Sequence, residues 1–310
     1  MPVLGSSTYF TCANLTQPAH HASPWDLVAG RSLTQLLDVT NHMTKGGCRW
    51  RRGHCDLSEN DRLDAAAWLV AQEIMELRCG RARTILEAWR NAAMRQPSPP
   101  AGDLLLAQPF IVPTFGLPPA GASVEHAQGH VAEITWRMLA KEEDASHRSI
   151  VYLARPDADV TSPGADGFVV YRNLAQADLA FRLWEIKKGS GSVSTSIGNA
   201  YEQLDLNAER YLAKLTGQSE VPDTELELRE LFADLVPAWK RADGSAGAGV
   251  AVATNAAVLP NRAFTTMHKH FPTLVATGGI EGCLVGLGSL RDFALYVRTL
   301  LWSGLSVATT

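Results

Sequence analysis

Beyond residue 122 the chain alternates helix-period segments with short apolar runs, and this alternation limits the fold more than any other feature of the sequence. Val131, Ile134, Met138 and Leu139 form an apolar stripe that predicts a helix over 124–142, because residues three and four apart share a helix face. Runs over 149–154, 167–171 and 179–187 read as strands, the last two joined by the turn-like Arg172-Asn173-Leu174-Ala175-Gln176. A Gly/Ser-rich loop over 189–196 leads into a helix over 197–215, followed by an acidic helix over 223–238. A strand over 249–254, a helix over 263–270, a strand over 283–287 and a closing helix over 290–302 complete the series. Strands separated by such helices define the α/β class, in which helices cover a sheet.

The first third reads differently. Leu63, Ala66, Ala67, Val70, Ile74 and Leu77 recur at helical spacing after Ser58, a candidate N-cap, and a second helix is predicted over 82–94. Two breaker-rich runs follow, Gln96-Pro97-Ser98-Pro99-Pro100-Ala101-Gly102 and Gly116-Leu117-Pro118-Pro119-Ala120-Gly121. They divide the chain into a mainly helical N-terminal region over 1–100, suited to partner or substrate contact, a Pro/Gly-rich linker over 101–121, and an α/β domain over 122–310.

Composition removes whole classes. With 46% hydrophobic and 19% charged residues the 310-residue chain is too apolar for global disorder. A membrane span needs about 18 unbroken apolar residues, and the greasiest stretch, 247–260, is interrupted by Thr254 and Asn255. The start, MPVLGSSTYF, has no basic leader, and the five cysteines Cys12, Cys48, Cys55, Cys79 and Cys283 are odd in number and scattered. The expectation is a cytoplasmic protein with no membrane partner. A net charge of −4 gives no bulk attraction for nucleic acid, although a local basic groove in an acidic protein still holds phosphates.

The strongest chemical signal is Asp166, in Gly164-Ala165-Asp166-Gly167 before one strand, together with Glu185-Ile186-Lys187 at the end of the next. Positions i and i+2 of a strand share a face, so Glu185 and Lys187 project together. If the two strands form a hairpin, Asp166 reaches Glu185, and two hard oxygen ligands converge as Mg²⁺ requires. Lys187 then adds a point charge to orient a water or stabilise a pentavalent transition state. Glu133, in His130-Val131-Ala132-Glu133-Ile134 on the preceding helix, is a candidate third carboxylate. The plainer reading makes Glu185 and Lys187 a solvated strand face with ordinary cross-strand pairing, and Glu133 a helix-surface charge. Lys188 reads as a phosphate contact or a solvated neighbour, turned away from Lys187. Lys45, Arg49, Trp50, Arg51 and Arg52 form a basic run around an aromatic. Such a run either grips a nucleic-acid backbone and stacks a base or is a solvated surface loop. Glu220, Asp223, Glu225, Glu227, Glu230 and Asp234 give the acidic helix a solvated face.

These residues resemble the site of the PD-(D/E)XK, or restriction-endonuclease-like, nuclease superfamily. A helix Glu, a strand Asp and an E-x-K strand are matched by Glu133, Asp166, Glu185 and Lys187, over roughly residues 122–300. Ala165 stands where the usual motif has Pro, which lowers its specificity. The resemblance implies an α/β core running helix, three strands, helix, strand. It also implies a nuclease hydrolysing phosphodiester bonds, of DNA rather than RNA, with Mg²⁺ (or Mn²⁺) held by Asp166, Glu185, the Ile186 carbonyl and Glu133, and Lys187 orienting water. Relatives with exonuclease-like sites often carry Gln and Tyr on the next helix, where this sequence has Tyr201, Gln203 and Tyr211. Gln203, Lys188, Arg49, Arg51 and Arg52 are the candidate nucleic-acid contacts. A narrower resemblance, carried by the 130–139 segment, Gly-x-Asp-Gly and Leu-Trp-Glu-x-Lys, is to the nuclease subunit of two-gene antiphage systems of the Hachiman type. It implies a role in bacterial antiphage defence or restriction beside a helicase/ATPase subunit, in keeping with the lack of a Gly-x-x-x-x-Gly-Lys-Ser/Thr loop here. The alternative is the same fold retained as a catalytically inactive module that docks nucleic acid or a protein.

Overall fold

A computed structural model describes residues 23–55, 60–95, 101–143, 147–156, 166–189, 191–217, 226–256, 258–275 and 279–305. In chain order these form α1 (Pro24–Val28), α2 (Leu33–Leu36), β1 (Thr40–Met43), β2 (Arg49–His54), α3 (Asn60–Cys79), α4 (Arg83–Ala93) and α5 (Ala101–Phe115). Then come α6 (Val124–Lys141), β3 (Arg148–Leu153), β4 (Gly167–Asn173), β5 (Leu179–Gly189), α7 (Val193–Thr216) and α8 (Leu226–Arg241). The chain closes with β6 (Ala248–Thr254), α9 (Met267–His270), α10 (Pro272–Val275), β7 (Ile280–Gly286) and α11 (Leu290–Ser303). Cys12, Ser58, Gly164, Ala165, Glu220, Asp223, Glu225 and the breaker residues 96–100 lie outside the described residues.

The strands make one mixed sheet of seven in the order β1-β2-β7-β6-β5-β4-β3. β3, β4 and β5 form an antiparallel meander, β5, β6, β7 and β2 run parallel, and β1 closes one edge antiparallel to β2. Alternation along β5 sorts its side chains. Phe181 and Leu183 join the apolar layer formed with α7 and α8, while Trp184 and Ile186 join the layer formed with α3, α6 and α11. Each face of the sheet is therefore covered by helices, the arrangement that lets Val250 and Ala251, adjacent on β6, both be buried. Glycine permits the closest approaches. A Cβ on Gly249 would lie 2.2 Å from the Trp184 ring, and one on Gly167 would lie 2.4 Å from that of Trp136, so β5 leans across β6 and α6 rests on the start of β4.

The α/β class is as expected, and most elements beyond residue 122 fall near their predicted positions. Four differ. In the region read as mainly helical, Thr40–Met43 and Arg49–His54, the latter holding most of the basic run read as a nucleic-acid grip or a surface loop, form β1 and β2, and β2 pairs with β7 in the main sheet. Ala101–Phe115, read as linker, is helical despite Pro109 and Pro113. Arg78 of α3 holds it by donating to the Phe110 carbonyl at 2.7 Å. α7 starts at Val193, ahead of the predicted 197. The helix predicted over 263–270 shrinks to Met267–His270, because Phe264 takes φ 56°, a left-handed conformation that interrupts helical geometry. Among the described residues no helix is long and apolar enough to cross a membrane.

Candidate active site

The β4–β5 pairing sets Gly167 opposite Trp184, which brings Asp166, one residue earlier, level with Glu185. The Asp166 Oδ2 accepts a 2.8 Å hydrogen bond from the Ile186 amide, so the carboxylate is fastened to the strand that carries the E-x-K triplet. Glu185 is 0% exposed, and neither of its oxygens receives a well-aligned hydrogen bond. Its counter-ion is Lys187, whose Nζ lies 2.6 Å from Glu185 Oε1 and donates at 2.6 Å to the Gln203 Oε1 of α7. An ammonium has three N–H donors. With two turned to Glu185 and Gln203, the third remains for an anionic oxygen at the half-exposed mouth, where the Lys187 side chain is 26% exposed. The hairpin condition and the shared face of Glu185 and Lys187 are thus both met.

Two carboxyls buried this close cannot both remain comfortably ionised. Burial, reinforced by the Asp166 charge and only partly offset by Lys187, pushes the Glu185 carboxyl up from 4.5 to about 8. Burial also raises Asp166, against the pull of the Ile186 amide and Lys187. The folded protein then keeps a proton that the unfolded chain releases between pH 4.5 and about 8, so stability falls as pH rises through that window. Thermal unfolding in EDTA between pH 5 and 8.5 checks this. The wild-type midpoint should drop with rising pH, and Glu185→Gln should flatten the decline. Equal slopes in the two proteins would count against a strained carboxyl pair.

The other candidate residues lie elsewhere. Glu133 is on α6, which packs on the sheet face opposite Glu185 through a Trp136–Trp184 contact of 5.2 Å between ring centroids. Its Oε2 is 3.9 Å from His130 Nδ1. Lys188 turns away from Lys187, as its place in the strand requires, and pairs with Glu125. Tyr201 and Tyr211 sink into the core beneath α7. In the basic run, Arg49 donates to Glu281, Arg51 to the Leu139 carbonyl and Arg52 to Asn261. Trp50 is buried and stacked on His42, 4.4 Å between centroids. The run is a sheet strand with an inward-facing indole, not a surface loop, and Trp50 offers no face to a base.

Sequence reasoning passed over Glu281, which sits in an apolar strand and gathers Arg49, Arg148 and Arg182 around it. A lone carboxylate within Ile280-Glu281-Gly282-Cys283-Leu284 was the available signal. Among the described residues no group of three or more His, Cys, Asp or Glu side chains stands close enough to hold a metal ion. The donor set for a cation is therefore the Asp166–Glu185 pair. It fits a hard divalent ion in one respect: burial beside Asp166 disfavours the ionised form of Glu185, with Lys187 offsetting this only in part, and a cation would relieve that cost. No protein-family model matches the chain, and no curated protein matches it.

Proposed function

We propose that this chain is a metal-dependent nuclease that hydrolyses phosphodiester bonds of DNA. The observation that carries the reading is the buried Asp166–Glu185 pair with Lys187 fixed beside it. The order α6, β3, β4, β5, α7 and then, after the additional helix α8, β6 parallel to β5 follows the order that the restriction-endonuclease-like resemblance implies, and it supports the same reading. Asp166 and Glu185, with the Ile186 carbonyl, would hold Mg²⁺ or Mn²⁺. When bound, such an ion neutralises phosphate charge and lowers the pKa of a coordinated water. The chain's own residues do the rest. Asp166 is held by the Ile186 amide, Gln203 keeps Lys187 extended toward the mouth, and the remaining Lys187 N–H orients a water or steadies the charge developing on phosphate oxygens. Glu133, held toward His130, is left out of this set. The setting proposed with it is bacterial antiphage defence or restriction in the cytoplasm, beside a helicase subunit, and rests on the motif resemblance.

The lack of a third carboxylate at the pair among the described residues is what favours the rival, an inactive docking module. Incubating the purified protein with plasmid, linear duplex, single-stranded DNA and RNA in Mg²⁺, Mn²⁺ or EDTA separates the two. DNA cleavage that needs the cation is the expected result. No cleavage of any substrate, with no Mn²⁺-dependent rise in unfolding temperature, would overturn the nuclease in favour of docking.

A further inference from the structure

On the sheet face away from Glu185, where α3, α5 and α6 pack together, the helices leave a cavity of about 250 Å³ beside the end of β3. That volume is just under the usual small-molecule range of about 300–1,000 Å³, so its occupant must be small. Ile74, Leu77, Pro109, Phe110, Pro113 and Ile134 make most of the wall apolar. Among the described residues three polar side chains line it, Arg78, His130 and Arg155. An apolar hollow with a few convergent polar groups is the usual form of a ligand site.

The charge of this wall is one-sided. Arg78, part-buried on α3, donates to three neutral acceptors, the Phe110 carbonyl, the Thr114 hydroxyl and His130 Nε2. A guanidinium has five N–H donors, so its Nε–H and one Nη1–H are left without an acceptor among the described residues. Burial pushes the Arg78 guanidinium down to about 10, the mark of a cation held in apolar surroundings at a cost. His130 adds no charge, because burial and the Arg78 charge push its pKa down to about 3. Arg155 is exposed and has no hydrogen bond or ion pair among the described residues. Glu133, with Oε2 3.9 Å from His130 Nδ1, is not part of the lining, and no other carboxylate among the described residues is. Two full positive charges therefore stand in an apolar wall with no acid among them. The planar fork of a guanidinium matches a carboxylate, and the small volume leaves room beside it for a single ring or a short chain.

We propose that this cavity binds a small apolar carboxylate, its carboxylate group taken by Arg155 and Arg78 and its hydrocarbon body by Ile74, Leu77, Phe110 and Ile134. The inference is independent of the nuclease reading, since binding is read without nucleic acid, divalent cation or activity. Calorimetry and saturation-transfer NMR of the full chain, with benzoate and with hexanoate, test it. Acetate lacks the apolar body, benzyl alcohol and hexanol lack the charge, and inorganic phosphate offers charge of another shape; each is a separate arm. Benzoate or hexanoate should bind about tenfold or more tightly than any of these, the worth of one hydrogen bond to a charged group. Arg155→Gln, at an exposed position, should leave the fold intact and weaken binding by about tenfold. Leu77→Trp, at a part-buried place in the wall, fills the hollow and should abolish binding; where it fails to fold, Arg155→Gln decides alone. No binding of either carboxylate at millimolar concentration would overturn the proposal. So would acetate, an alcohol or phosphate binding as tightly as the two carboxylates, or undiminished binding in a folded variant.

Discussion

Lys187→Ala should lower cation-dependent DNA cleavage by on the order of a hundredfold to a thousandfold, the usual loss when one preorganised charge is removed from a transition state. Glu185→Ala should go further and reduce cleavage to background, because it removes half of the donor pair. Lys187 is 26% exposed and sits at the end of β5, so its truncation leaves the apolar layers of both faces intact, and circular dichroism should show a folded chain. Single-turnover rates in Mg²⁺ and Mn²⁺ are the measurement. Gln203→Leu provides an internal gauge. It deletes only the acceptor that fixes Lys187, so its loss should be smaller than that of Lys187→Ala and should disappear when Lys187 is already alanine. Wild-type rates in Lys187→Ala would return Glu185 and Lys187 to an ordinary paired strand end.

This site was legible in the sequence because it is local. Asp166, Glu185 and Lys187 lie on two strands joined by a short turn, and the two-residue strand period alone puts Glu185 and Lys187 on one face. The hairpin register then needs no distant information. Glu133 shows where such reasoning ends. The helix was visible in its apolar stripe, yet the sheet face it covers, and hence its separation from Glu185, depends on the Trp136–Trp184 contact and on Gly167 beneath it. β2 was illegible for a stronger reason. Arg49-Trp50-Arg51-Arg52-Gly53-His54 shows no apolar alternation, and it becomes a strand through parallel pairing with β7, far along the chain. There Arg49 and Arg51 spend their charge on Glu281 and Leu139. Charged side chains read as solvent-facing whenever their partners are distant in sequence. α5 was hidden by its prolines, and the support it gains from Arg78 is equally nonlocal.

Glu281 shows what such distant pairing is worth, and Glu281→Gln should destabilise the protein by about 3–5 kcal/mol, the cost of leaving buried charge uncompensated. The carboxylate lies 2.5 Å from Arg148 Nη1, 3.1 Å from Arg49 Nη2 and 3.3 Å from Arg182 Nε, with Arg148 and Arg182 themselves buried. Burial alone would raise its pKa, but the hydrogen bond from Arg148 and the charges of Arg148, Arg182 and Arg49 prevail and hold it at about 2. An acid depressed on folding gives stability that is present in full above the unfolded value of 4.5 and is lost as pH falls from there through about 2. That shift corresponds to on the order of 3 kcal/mol, in line with the loss expected on substitution. Urea unfolding at pH 7 and at pH 3 measures both. On acidification the wild type should fare worse than Glu281→Gln, which is already weakened at pH 7; the opposite trend from Glu185 is common to both proteins and cancels in the difference. A variant as stable as the wild type at pH 7 would mean that the three guanidiniums tolerate one another without it, and that the charged end of the sheet is not held by this carboxylate.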